Sequence, residues 1–253
     1  MNQHDDLIQY LLRLGDSALI QGQRLCEWCG KAPALEEELA LMNVGLDLVG
    51  QARNWLDYAA ELLADGRDAD DLAYRRDERA YRNLLLVEQP NGDYAVTIVK
   101  QFLYDAWHFQ VLHALSSSSD ERIAGIAAKA LKEVTYHLRR SGEWVERLGD
   151  GTEESHKRML AAIDQVWRFS VELVNGDDVE QRLAEAGVAA AADEVASAWR
   201  AKVADVFARA TLPVPPAASY FYLSGRRGLH SEHLGILLAE MQFLPRAYPD
   251  ATW

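Results

Sequence analysis

The sequence predicts an all-helical bundle. Apolar residues recur at three- and four-residue steps through nearly the whole chain, and residues that open or close helices sit at the ends of those runs. No run alternates β-branched residues as a half-buried strand would. The first helix follows Leu7, Tyr10, Leu11, Leu14, Ala18, Leu25 and Trp28, with Gly30 as its stop. Pro33 opens the second, where a missing N–H costs least. That helix runs through Leu35, Leu39, Met42, Leu46, Val49, Leu56 and Leu63 to Asp65-Gly66. At about 1.5 Å per residue it is roughly 45 Å long.

Asp93 caps a third helix through Ile98, Phe102 and Leu112, and Asp120 caps a fourth that ends at Gly149. Thr152 caps a fifth through Met159, Ile163, Trp167 and Leu173. A sixth spans residues 193–210, and a seventh starts near Ser231 and ends before Pro249. Long helices joined by short turns pack antiparallel, so residues 1–253 are expected to form one domain: a four-helix core with about three additional helices.

Composition narrows the function. Hydrophobic residues make up 49% of the 253, enough for a large core, and the formal charge of −13 repels phosphate backbones, arguing against nucleic acid. No apolar stretch approaches the roughly 18 residues that span a bilayer, and Met1-Asn2-Gln3-His4-Asp5-Asp6 lacks a signal peptide's basic flank and apolar run. A cytoplasmic protein without a membrane partner is expected. Cys26 and Cys29 have no second pair with which to hold zinc, and they read as packing cysteines in a reduced compartment.

In a helical bundle the chemistry to look for is a di-metal carboxylate centre. It takes an acid from each of two helices and a Glu-x-x-His from each of two others, because three residues put carboxylate and imidazole on one face. The single Glu-x-x-His, Glu153-Glu154-Ser155-His156, lies in a first helical turn and reads as capping. Asp105-Ala-Trp-His108 is its aspartate counterpart in the third helix. Asp16, Asp47, Asp105 and Glu133 fall well inside the first four helices, like the acids of such a centre. However, Gly50 follows Asp47 and Tyr136 follows Glu133 at the three-residue position, and His137 arrives about 100° too late around its helix. A vestigial centre is expected: four convergent acids without metal, neutralised by bases such as Arg13, Arg24, Arg53 or Lys132. His230-Ser-Glu-His233 reads as a cap with a packed imidazole.

The run from Arg75 to Asn83 is rich in arginine in an acidic chain. Its bland reading is a solvated helix; its sharper reading is a rim on which Tyr81, Arg82 and Asn83 meet a phosphate-bearing ligand. Arg182 and the Gly225-Arg226-Arg227-Gly228 loop are weaker candidates of the same type.

Several segments together resemble a known family. They include Arg13-Leu14-Gly15-Asp16, Gln23-Arg24-Leu25-Cys26-Glu27-Trp28 and Gly45-Leu46-Asp47-Leu48-Val49-Gly50-Gln51-Ala52-Arg53. Others are Arg76-Asp77-Glu78-Arg79, Leu85-Leu86-Val87-Glu88-Gln89-Pro90-Asn91-Gly92, Asp105-Ala106-Trp107 and Lys132-Glu133-Val134-Thr135-Tyr136-His137-Leu138-Arg139. Gly228-Leu229-His230-Ser231-Glu232-His233-Leu234-Gly235 and Leu238-Ala239-Glu240-Met241-Gln242 complete the set, which covers nearly the whole chain. The sequence resembles the structural subunits of bacterial phenylacetyl-CoA epoxidases, the ring oxygenases of phenylacetate breakdown. The resemblance implies a ferritin-like fold, no cofactor in this chain, and diiron in a partner catalytic subunit held in a tight heteromer. It also implies a small bridging subunit and a reductase that docks transiently. The chain is then a degenerate copy of the catalytic subunit that stabilises it. The alternatives are a self-sufficient ferritin-like diiron oxidase or iron-binding protein, using His108 or His137, and a helical scaffold unrelated to oxygenation. Trp199, Tyr220, Phe221 and Tyr222 are the expected interface residues, and Tyr81, Arg82 and Asn83 the expected neighbours of the CoA end of the substrate.

Overall fold

The computed structural model describes residues 3–217, 224–249 and 251. The chain is all-helical, with no strand among the described residues. It divides into two compact units: the described residues of Met1–Pro90 with Phe221–Trp253, and those of Asn91–Tyr220.

In chain order the first unit begins with α1 (Gln3–Cys26), α2 (Leu35–Leu63), α3 (Ala69–Tyr74) and α4 (Leu85–Glu88). The second holds α5 (Tyr94–Leu115), α6 (Glu121–Gly149), α7 (Glu153–Val166), α8 (Val171–Val174), α9 (Asp178–Glu185) and α10 (Ala192–Arg209). The chain then completes the first unit with α11 (Glu232–Met241) and α12 (Phe243–Ala247).

Small residues bring α1 and α2 together. A methyl group on Gly15 would meet the Leu56 side chain at 2.8 Å, and one on Gly22 would lie 3.1 Å from the Gly45 carbonyl oxygen. Level 15 of α1 therefore faces level 56 of α2, and level 22 faces level 45, which is an antiparallel pair at close range. Leu41, Val44, Leu48, Ala52, Trp55 and Leu56 form the buried face of α2. Every α1 residue from Tyr10 to Gly22 is buried, so each polar group there must be satisfied from within the protein.

α5 is the corresponding interior helix of the second unit, buried from Ala95 to His108. The Asp93 side chain accepts from Val96 N at 3.0 Å, and Asp120 accepts from Arg122 N and Ile123 N, as expected of caps. The fifth expected helix instead breaks at Val166 into a 3₁₀ turn (Trp167–Ser170) before α8. The tighter turn buries Phe169 and sets Trp167 against Trp199, ring centres 5.7 Å apart. Trp199, expected at a partner interface, is 2% exposed, and its Nε1 donates to the Leu103 carbonyl at 2.9 Å. Its flat apolar surface is used within the core; Tyr220, Phe221 and Tyr222 lie outside the described residues.

α2 starts two residues later than expected, at Leu35, with Pro33 in the preceding turn. Past α2 the first unit is built from short helices and the segments between them, and these supply the side chains that close its interior.

Candidate functional site: buried polar centres

Asp16 is fully buried at mid-height on α1. Arg76 holds its carboxylate with both terminal nitrogens, NH1 donating to Oδ2 at 3.1 Å and NH2 to Oδ1. The Arg82 backbone N–H donates to Oδ2 at 2.8 Å. Arg76 also donates to the carbonyls of Leu72 and Ala80 and lies over the Tyr81 ring, 4.4 Å from its centre. The Tyr81 hydroxyl donates to the Ala73 carbonyl and accepts from Gln242 Nε2 at 2.8 Å. Burial pushes that phenol's pKa up, against the opposing pull of Arg76.

Within the arginine-rich run Arg75, Asp77, Glu78 and Arg79 are exposed, whereas Arg76 turns inward to Asp16. Tyr81 and Asn83 are wholly buried, and the half-buried Arg82 is taken up by Gln9 Oε1 at 3.0 Å and by the carbonyls of Arg79 and Tyr81. The physical reason is Asp16: a buried carboxylate requires a base, and this segment crosses α1 to deliver one. The base that holds Asp16 is Arg76, which was not among the expected ones. Arg24 donates to the Glu88 carbonyl at 2.7 Å, and the exposed Arg53 pairs loosely with Asp57 at 3.8 Å.

A second centre surrounds Glu88, whose side chain is fully buried at the end of α4. Oε2 accepts from Asn83 Nδ2 at 2.9 Å and contacts His230 Nδ1 at 2.8 Å. Oε1 accepts from the Ser231 amide and hydroxyl, both at 2.7 Å. His230 is thus an interior imidazole tied to an acid of its own unit. Sequence reading passed over Glu88 because it falls in a short segment with no long helical period. Its flanking Leu85, Leu86 and Val87, all buried, were the available signal.

In the second unit, Asp105 and His108 are buried side by side on α5. Ser141 Oγ on α6 donates to Asp105 Oδ2 at 2.8 Å. Burial raises the Asp105 carboxyl to about 7, although Ser141 and Arg140 pull it down. Burial also lowers His108 to about 3, and the nearby His137 adds to the effect. Tyr104 stacks obliquely on His108, ring centres 5.0 Å apart.

The four expected acids are held apart within each unit. Asp16 lies one residue beyond Gly15, which faces Leu56. Asp47 stands nine residues before Leu56, about 13 Å along the axis, and is half-buried on the flank of α2. Glu133 is half-buried on α6, eight residues or about 12 Å before the Ser141 that meets Asp105. Gly50 and Tyr136, where imidazoles are required, are both exposed. Among the described residues no group of three or more His, Cys, Asp or Glu is arranged to hold a metal ion. The donor set does not fit a di-metal carboxylate centre.

The family model described as phenylacetic acid catabolic protein matches residues 1–253. The chain belongs to that family. The C subunit of the 1,2-phenylacetyl-CoA epoxidase of Escherichia coli (strain K12) is 52% identical over 253 residues, covering 100% of both chains.

Arg182 is an exposed residue of α9. In the Gly225–Gly228 turn Arg226 is buried, and Gly225 sits so close to Asn83 that a methyl group there would lie 1.9 Å from its carbonyl oxygen. Thr152 and Ser155 form a reciprocal cap, Glu154 pairs with Arg158 at 2.7 Å, and His156 Nδ1 contacts the Gly149 carbonyl at 2.7 Å. Glu153–His156 is a helix start, as its sequence indicated. Cys26 packs toward Gly45, but Cys29 is exposed and not the packing residue expected. No helix among the described residues is long and apolar enough to cross a membrane.

Proposed function

We propose that this chain is the non-catalytic structural subunit of a multicomponent phenylacetyl-CoA epoxidase in aerobic phenylacetate catabolism. In this reading it works in the cytoplasm, binds no cofactor of its own, and stabilises a separate catalytic subunit that carries the diiron site. A small bridging subunit links the assembly, and a reductase docks transiently to supply electrons. Identity of 52% over the full length to a relative named as the C subunit of such an epoxidase supports the assignment.

The observation that carries the non-catalytic part is the state of Asp16. An acid at the middle of an interior helix is where a bundle would present a metal ligand, yet both of its oxygens are filled by Arg76 and the Arg82 amide. A carboxylate so closed cannot ligate without first losing a buried ion pair. Asp105 likewise has an oxygen occupied by the Ser141 hydroxyl.

The test is reconstitution. Turnover of the aromatic acyl-CoA is measured for this chain, for the catalytic subunit with its reductase, and for all of them together. The expected result is no turnover by the chain alone and a more active, longer-lived catalytic subunit in its presence. Turnover by the isolated chain with an artificial reductant would overturn the proposal.

A further inference from the structure

The outward face of α2 carries a row that no fold requirement explains. Leu35, Leu39, Met42, Leu46 and Val49 follow one another at alternating spacings of four and three residues. That is the seam pattern by which one helix receives another. Leu35, Leu39 and Leu46 are 68%, 57% and 63% exposed, with Met42 partly exposed between them; Val49, 36% exposed, ends the row at the edge of α1, its Cγ2 3.3 Å from where a methyl group on Gly22 would sit. The close glycine contacts with α1 fix which way α2 is turned, so the row cannot rotate inward without undoing the Gly15 and Gly22 crossings. From Leu35 to Leu46 the outward part of the row is about 17 Å long, an apolar surface of the kind that marks a protein contact.

Charge decides what fits it. The stretch from Leu35 to Val49 contains Glu36, Glu37, Glu38 and Asp47 and no lysine or arginine. A second copy would bring the same acids to the same seam, on a chain already carrying −13. We infer that this face of α2 receives one helix of a different subunit, apolar at matching three- and four-residue steps and bordered by lysine or arginine. The inference rests on the subunit role proposed above and deepens it, taking the catalytic subunit as the partner.

The test compares the wild-type chain with a Leu39→Glu/Leu46→Glu variant, each titrated with the purified catalytic subunit by sedimentation velocity. Both positions are solvent-exposed, so the variant is expected to keep the wild-type circular dichroism and melting temperature. Its affinity is expected to fall by about 100-fold or more, as when central contacts of an interface are lost. Raising salt is expected to weaken the wild-type complex by about tenfold, because acidic and basic borders attract across the seam. Wild-type binding with undiminished binding by the variant would overturn this inference and leave the subunit role standing. Absence of a wild-type complex would overturn both. A dimer of the wild-type chain alone that the variant abolishes would make the occupant a second copy and overturn the choice of partner. A complex that salt leaves unchanged or strengthens would overturn the basic border.

Discussion

His230 Nδ1 lies 2.8 Å from Glu88 Oε2, and its other ring nitrogen lies 3.1 Å from the Tyr81 carbonyl oxygen. Glu88 also accepts from Asn83 Nδ2, the Ser231 amide and the Ser231 hydroxyl. Each ring nitrogen thus faces an acceptor, Glu88 Oε2 on one side and the Tyr81 carbonyl on the other, with both side chains sealed from solvent. The pair ties α4 to the turn that precedes α11, across 142 residues of sequence.

Deleting one partner leaves buried polar groups without the contact that satisfies them. His230→Leu is expected to destabilise by about 3–5 kcal/mol, the cost typical of breaking a buried pair from one side. Glu88→Gln should cost a similar amount, and the double variant less than the sum. Urea unfolding of the four proteins measures the coupling; additive losses would show that the two residues do not depend on each other.

Arg76 invites the same reasoning with a sharper control. Arg76→Met keeps much of the apolar stem over Tyr81 but strands Asp16, and about 3–5 kcal/mol of stability should be lost. Adding Asp16→Asn should return a substantial part, because the stranded group is then neutral. A double variant no more stable than Arg76→Met would refute the pairing as the source of the loss.

Gly225 tests how tightly the C-terminal arm is seated. A methyl group there would meet the Asn83 carbonyl oxygen at 1.9 Å, closer than any real contact, and that oxygen belongs to backbone that cannot swing aside. Gly225→Ala is expected to destabilise by about 1–3 kcal/mol, the usual range for overpacking. Limited proteolysis should then cut the arm before the helices of the first unit. An unchanged digestion pattern and melting temperature would mean that the arm adapts without cost.

The legible part of this fold is the part with a period. Asp93, Asp120 and Thr152 announced their helices because a cap needs a particular side chain at a particular place. The centres at Asp16 and Asp105 were visible as acids inside apolar runs, but their partners were not. Arg76 reaches Asp16 across 60 residues from a segment without helical period, and Ser141 reaches Asp105 across 36. A spacing rule sees only one helix at a time. The Arg75–Asn83 run was legible in part: Arg75, Asp77, Glu78 and Arg79 are exposed, as dense charge suggests, but only the depth of Asp16 turns Arg76 inward.

Asp105 and His108, three residues apart on α5, make opposed demands on pH. Burial lifts the Asp105 carboxyl from its ordinary 3.8 to about 7, so between roughly pH 4 and 7 the native protein holds a proton that the unfolded chain has released. That contribution makes stability fall as pH rises through the window. Burial drops His108 from 6.5 to about 3, so between those values the unfolded chain holds a proton that the native protein lacks. That contribution makes stability rise with pH. Each shift of about 3 units corresponds to something on the order of 4 kcal/mol, and the two slopes offset each other from roughly pH 4 to 6.5. Asp105→Asn should uncover the histidine slope, giving a protein whose stability climbs through that range and exceeds wild type at about pH 8. His108→Gln should uncover the opposite slope, with stability declining from about pH 4 to 7. Urea unfolding at several pH values across this range distinguishes them. If Asp105→Asn reproduces the wild-type dependence, the buried carboxyl is not what titrates.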